Sequence, residues 1–282
     1  MAFQPRTRIW GVMTLRPTAL IALFATALAL AAPLRANPYA EAVETRLLPG
    51  WRLPDGTLMA GLEITLAPGW KTYWRSPGDA GIPPLFDWSG SRNLGGVELS
   101  WPTPHVFDQD GMRTIGYKDR VVLPLTIAPR KPGTPVRLKG TIDIGICQEV
   151  CVPVRIELSE DLSGAATRPD PQIAAALADR PFSGREAGLR DASCSVAPAS
   201  DGLSLRAEFT LPSTGGQEMA VVETGDPMIW ASEPRLTRKG GKLIAEFDLM
   251  HASGGPFAID RSALRFTILG RKHAVEVDGC NP

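Results

Sequence analysis

Apolar and polar residues alternate with a period of two in several short stretches of this chain, and that alternation predicts strands rather than helices. Leu58, Ala60, Leu62, Ile64 and Leu66 share one phase, and an apolar run extends from Val121 to Ile127. The alternation returns in Leu203, Leu205, Ala207 and Phe209, then in Leu243, Ala245, Phe247 and Leu249, and again in Leu264, Phe266 and Ile268. Pro49-Gly50, Asp55-Gly56, Pro68-Gly69, Pro77-Gly78, Asp110-Gly111 and Pro132-Gly133 mark turns between them. Residues 37–160 thus read as about seven or more short strands, the number a β-sandwich needs. Between 161 and 189 the pattern changes. Asp170 can cap a helix that has Pro171 at its first position and runs through Gln172 to Ala178, with Pro181 ending it. The predicted fold is all-β: two immunoglobulin-like β-sandwich domains, 37–160 and 190–282, joined by a linker (161–189) with a short helix.

Residues 1–36 stand apart from this pattern. Arg6, Arg8 and Arg16 precede an apolar run from Ala19 to Ala32, no acidic residue occurs in the segment, and small Ala36 precedes Asn37. The run is shorter than the roughly 20 residues that span a bilayer, so 1–36 reads as a cleavable signal peptide, with an uncleaved anchor as the alternative. Composition adds little that is special: 282 residues, 44% hydrophobic, 30 basic and 30 acidic. That excludes a disordered, collagen-like or coiled-coil chain. Loss of Arg6, Arg8, Arg16 and Arg35 on cleavage leaves 26 basic against 30 acidic residues, a net charge of −4, which offers nucleic acid no electrostatic footprint.

Export changes the meaning of the four cysteines, because oxidising compartments form and keep disulfides. Cys194 and Cys280 would fall on the first strand and just past the last strand of the second sandwich, where a bridge ties the ends of the domain together as a structural staple. Cys147 and Cys151 lie four apart in Thr141-Ile142-Asp143-Ile144-Gly145-Ile146-Cys147-Gln148-Glu149-Val150-Cys151-Val152-Pro153-Val154-Arg155-Ile156-Glu157-Leu158, which reads as a β-hairpin with a three-residue connection. Ile142, Ile144 and Ile146 would share the core face with Val152, Val154, Ile156 and Leu158, and both sulfurs would project from the other face. Opposed across an antiparallel pair, the two cysteines are within bridging range.

A bridge that closes so short a loop stabilises little, which leaves reversible exchange as one reading and an inert hairpin disulfide as the other. The connection has no Gly or Asn to supply positive φ, which predicts backbone strain there. Glu149, between the cysteines, disfavours a thiolate, so the pair suits being attacked more than attacking.

Three pieces of the sequence carry a family resemblance. They are Gly69-Trp70-Lys71-Thr72-Tyr73-Trp74-Arg75, the stretch from His105-Val106-Phe107-Asp108 to Tyr117-Lys118-Asp119-Arg120-Val121-Val122-Leu123-Pro124-Leu125, and Ile146-Cys147-Gln148-Glu149-Val150-Cys151-Val152-Pro153. Over roughly residues 57–158 the chain resembles the immunoglobulin-like N-terminal domain of the thiol:disulfide interchange protein DsbD and its relative ScsB, with C-x-x-x-C spacing of the ScsB form. The resemblance implies a periplasmic protein-disulfide reductase that needs no cofactor. Electrons would pass from a membrane-embedded thiol-disulfide donor to a periplasmic thioredoxin-fold acceptor. Cys147 and Cys151 would be the exchanging pair, with Cys151 the one attacked. Tyr73 and Trp74 would flank the pair, and Phe107 would lie in the segment that caps it. The transmembrane and thioredoxin-like domains of DsbD have no counterpart in this sequence, so the donor is expected to be a separate membrane protein and this chain a monomer.

The rival class is a non-catalytic envelope module that binds a partner protein or copper. A metal site is short of ligands, since His105 is the only histidine in the first domain and His251 and His273 stand in no metal-ligand spacing. No G-x-S-x-G, H-E-x-x-H or glycine-rich phosphate loop occurs.

Overall fold

The computed structural model describes residues 39–78, 80–109, 111–166 and 168–282, so the expected signal peptide lies outside the described residues. Ten strands form the first half: β1 (Val43–Arg52), β2 (Leu58–Leu66), β3 (Lys71–Tyr73), β4 (Leu85–Asp87), β5 (Leu94–Leu99), β6 (His105–Gln109), β7 (Met112–Lys118), β8 (Arg120–Pro129), β9 (Val136–Cys147) and β10 (Cys151–Leu162). They make one sheet in the order β1-β2-β8-β5 and a second in the order β10-β9-β3-β7-β6, with β4 also paired to β9. Leu58, Leu62, Leu125, Ile127, Leu138, Ile142 and Ile146, each almost fully buried, fill the space between them. Among the described residues the fold is thus all-β apart from one short α-helix and a 3-10 turn at Ala40–Ala42, as the alternation requires.

The helix, α1 (Pro171–Ala178), forms where the sequence predicts it. The Asp170 carboxylate accepts hydrogen bonds from the backbone N–H groups of Gln172 and Ile173, and Pro171 occupies the first turn. Beyond connecting the two halves, the helix covers the outer face of the first sheet. Ile173, fully buried, packs with Leu48, Met59 and Val122. Gly61 makes this approach possible, because a Cβ at that position would lie 2.9 Å from Cγ1 of Ile173. Its cover explains why β2 is buried on both faces where alternation predicts one. Glu63, on that outer face, is held by Arg46 at 2.6 Å and by Arg120 at 2.5 Å.

The second half contains β11 (Phe182–Ser183), β12 (Asp191–Ala199), β13 (Gly202–Thr210), β14 (Met219–Glu223), β15 (Ile229–Ala231), β16 (Arg235–Lys239), β17 (Lys242–His251), β18 (Arg265–Leu269) and β19 (Ala274–Asp278). Its sheets run β11-β19-β18-β14 and β12-β13-β17-β15, with β16 also on β17. Leu205, Ala207, Phe209, Leu243, Ala245, Phe247, Leu249, Leu264, Phe266 and Ile268 are buried in one cluster, the set that the periodicity marks. Cys194 on β12 bridges to Cys280 beyond β19, with a Cα–Cα distance of 5.7 Å. Hydrogen bonds from Cys194 N to Asn281 O and from Asn281 N to Ala192 O flank the bridge.

The two sheet pairs touch, and Tyr39–Pro282 forms one compact unit. Leu269 and Ala274 join the first core cluster. The Arg75 guanidinium, only 14% exposed, pairs with Glu223 at 2.9 Å and with Glu276 at 2.5 Å. No helix among the described residues is long and apolar enough to cross a membrane.

Candidate functional site

The hairpin β9–β10 has the register that its sequence implies, from Cys147 opposite Cys151 to Val136 opposite Leu162. Ile142, Ile144, Ile146, Val154 and Leu158 are buried in the first core, with Val152 and Ile156 packed against it. The other face carries Asp143 and Arg155, joined across the strands by a 2.7 Å ion pair, and the Cys147–Cys151 disulfide, whose Cα atoms are 4.1 Å apart. The expected backbone strain in the connection is absent. Among the described non-glycine residues only Asn93, Asp119 and Gln217 have positive φ, so Gln148, Glu149 and Val150 turn the chain within ordinary backbone space.

The two sulfurs, both expected on the face away from the core, differ in exposure. Cys151 is exposed, whereas Cys147 is fully buried. The reason is tertiary: β9 is an inner strand, with Cys147 set between Cys151 of β10 and Lys71 of β3, while Cys151 begins the edge strand. Tyr73 and Ile82 lie over β9 beside the pair. Gly145 admits them, because a Cβ there would fall 2.6 Å from Ile82 Cβ and 2.8 Å from the Tyr73 ring. Gly145 and Ile82 belong to the surroundings of the pair, and sequence reasoning had not marked them. A glycine inside a strand, where it weakens the strand unless something packs close, is the one signal that pointed there.

Tyr73 is 3% exposed, and its hydroxyl donates a 3.0 Å hydrogen bond to Sγ of Cys151. Burial raises the phenol's pKa above its ordinary value, which keeps it an O–H donor at neutral pH. Its strand is fixed to β9 by the Thr72 hydroxyl, which donates to Gly145 O at 2.8 Å. Trp74, next in sequence, points the other way, fully buried in the core cluster with the Arg75 guanidinium 4.3 Å from its ring centroid. Strand alternation separates these neighbours, so the structure brings Tyr73 to the disulfide and places Trp74 behind it. Phe107 on β6 lies under the Lys71 ammonium, 5.2 Å from Nζ to the ring centroid. Lys71 is the register partner of Cys147, so Phe107 meets the site through Lys71. Burial lowers the Lys71 pKa from its ordinary value.

Chemically, this is a disulfide with one accessible sulfur, a hydrogen-bond donor aimed at that sulfur and a buried second sulfur. Among the described residues no group of three or more His, Cys, Asp or Glu side chains is arranged to hold a metal ion.

Residues 44–163 match the family model described as "Thiol:disulfide interchange protein DsbD, N-terminal". The chain is also similar to the crystal structure of the N-terminal periplasmic domain of ScsB from Proteus mirabilis, at 25% identity and a TM-score of 0.66 over 88% of this chain and 96% of that one. The N-terminal domain of DsbD from Neisseria meningitidis, in its reduced form, aligns at 21% identity and a TM-score of 0.29, over 44% of this chain and 89% of that one. No curated protein matches the chain.

Proposed function

Residues 44–163 of this chain belong to the DsbD N-terminal domain family, and from that premise we propose that it is a periplasmic thiol-disulfide exchange protein working through Cys147 and Cys151. In this reading the two sheet pairs are two immunoglobulin-like domains, 37–160 and 190–282, and the Cys194–Cys280 bridge is structural. A membrane-embedded dithiol supplies the electrons and an exported thioredoxin-fold protein receives them.

The observation that carries the proposal is the asymmetry of the disulfide, with Cys151 exposed and hydrogen-bonded to Tyr73 while Cys147 is buried. A donor thiolate attacks Sγ of Cys151, forming a mixed disulfide as the Cys147–Cys151 bond breaks, and the Cys147 sulfur leaves as a thiolate that takes up a proton. The donor's second thiolate then attacks the donor's own sulfur in the mixed disulfide, which closes the donor's disulfide and releases Cys151. Two electrons have moved to the pair. In the second half of the cycle Cys151 attacks an oxidised acceptor, and Cys147 resolves that mixed disulfide. Tyr73 serves both halves, because its O–H can donate to the Cys151 sulfur as thiolate or as disulfide.

The test is the reduction potential of the Cys147/Cys151 pair, read by equilibrating the protein in thiol-disulfide buffers and mapping alkylated cysteines by mass spectrometry. A potential well above about −300 mV, with Cys194 and Cys280 still bridged, is expected of an exchanging pair. A potential below that value would make the hairpin disulfide inert and refute the proposal.

A further inference from the structure

The disulfide sits at the start of a free sheet edge. Strand β10 is the terminal strand of its sheet and pairs with β9 alone, over 12 residues beginning at Cys151. Three observations fix which of its amides face outward. The 4.1 Å Cα separation of Cys147 and Cys151 is that of a pair that does not exchange backbone hydrogen bonds. Pro153, two residues on, has no N–H to offer β9 and stands in the same phase. Its partner Gly145 turns its carbonyl away from β10, toward the Thr72 hydroxyl. In an antiparallel ladder the residues of this phase, Cys151, Pro153, Arg155 and Glu157, therefore direct their backbone groups away from β9. Among the described residues no backbone group of another segment is bonded to them.

The chemistry needs an approach from that same side. Thiolate attack on a disulfide is in line, with the entering sulfur opposite the leaving one. Here the leaving sulfur is on β9 and the attacked sulfur on β10, so the line of entry passes out over the β10 edge. The opposite side is occupied by Tyr73, whose hydroxyl is 3.0 Å from the attacked sulfur. A mixed disulfide holds its two Cα atoms about 5.5 to 6 Å apart, close to the roughly 4.8 Å spacing of neighbouring strands.

We propose that the free edge of β10 is the docking site for the partner's cysteine-bearing segment, which binds extended as an added strand hydrogen-bonded to the backbone of Cys151 and Arg155. The occupant is a thioredoxin-fold protein, and the edge rather than a side-chain pocket selects it. That occupant is the acceptor of the exchange reading: when Cys147 resolves the mixed disulfide, the acceptor's sulfur departs from Cys151 along the same line, out over the β10 edge. This inference rests on the exchange reading above and adds to it the path of approach.

Arg155→Pro tests it, because proline there deletes an outward N–H and leaves the β9 ladder intact, while Arg155→Ala removes the ion pair to Asp143 and keeps that N–H. The full chain is reduced in parallel by a thioredoxin-fold dithiol protein and by dithiothreitol, which needs no strand pairing. The expected result is a fall of about tenfold in the protein-driven rate for Arg155→Pro alone, on the scale of one lost hydrogen bond, with the dithiothreitol rate unchanged. Equal protein-driven rates for the two variants would overturn the edge pairing. Should Arg155→Pro disturb the hairpin and slow both reductants, hydrogen exchange decides, on Cys147→Ser chain trapped as a mixed disulfide with a thioredoxin-fold protein whose single active-site cysteine is first activated with thionitrobenzoate, the group that Cys151 displaces. Slowed exchange at the Cys151 and Arg155 amides upholds the proposal, and unchanged exchange overturns it. A native chain whose pair neither reductant opens would refute the exchange reading itself, and this inference with it.

Discussion

The Tyr73 hydroxyl and Sγ of Cys151 are hydrogen-bonded at 3.0 Å although 78 residues separate them in sequence. The contact exists because β3 lies beside β9 and because Gly145 leaves room for the Tyr73 ring. A donor at that sulfur stabilises the Cys151 thiolate relative to the thiol.

Replacing Tyr73 with Phe removes the donor and keeps the ring. In the reduced protein the pH midpoint for alkylation of Cys151 is expected to rise by about half to one unit, with global stability changed by about 1 kcal/mol or less. An unmoved midpoint would show that the hydroxyl does not act on the sulfur.

The difference in exposure between the two cysteines predicts asymmetric trapping. In Cys147→Ser the accessible Cys151 is left free, and its thiolate should displace thionitrobenzoate from a thioredoxin-fold protein whose single active-site cysteine carries that group as a disulfide, leaving the two proteins joined as a mixed disulfide. In Cys151→Ser the remaining thiol is the buried Cys147, and little product should form. Non-reducing electrophoresis distinguishes them, and equal trapping would contradict the assigned roles.

The Cys194–Cys280 bridge closes a separation of 86 residues and ties β12 to the chain's last residues. The double variant Cys194→Ala/Cys280→Ala is expected to lose about 2 to 5 kcal/mol of stability, measured by denaturant unfolding, while the reduction potential of the hairpin pair stays as it was. A shift in that potential would mean that the two disulfides are coupled.

Acid should weaken the first sheet pair at Glu63. Burial raises the pKa of its carboxyl, but the hydrogen bonds from Arg46 and Arg120 outweigh burial and hold it below the ordinary 4.5. A depressed carboxylate contributes stability that is fully present above its unfolded pKa and lost as pH falls through the folded value. Glu63→Gln should therefore flatten the decline in stability below about pH 4.5 relative to the parent chain, as thermal melts across pH would record. Parallel curves would remove Glu63 from the acid response.

Much of this protein was legible in its sequence, and the legible part is local. Strand phase follows from side chains alternating faces, so Ile142, Ile144 and Ile146, or Leu205, Ala207 and Phe209, declared their burial without any partner in view. The register of Cys147 with Cys151 followed from a three-residue connection. Asp170 and Pro171 set the start of α1 by bonds within one turn. What the sequence left open depends on which strands become neighbours. Period-two alternation says that a strand has two faces, but not which edge is free or what lies over the outer face. The same phase that sent both sulfurs away from the core could not tell that β3 would flank Cys147 and leave Cys151 at the edge. Nor could it show that β3 would bring Tyr73 to the Cys151 sulfur, or that α1 would cover the outer face of β2. Those outcomes are set by long-range packing, where the position of a side chain depends on residues far away in sequence. The asymmetry on which the proposed chemistry depends is of that kind.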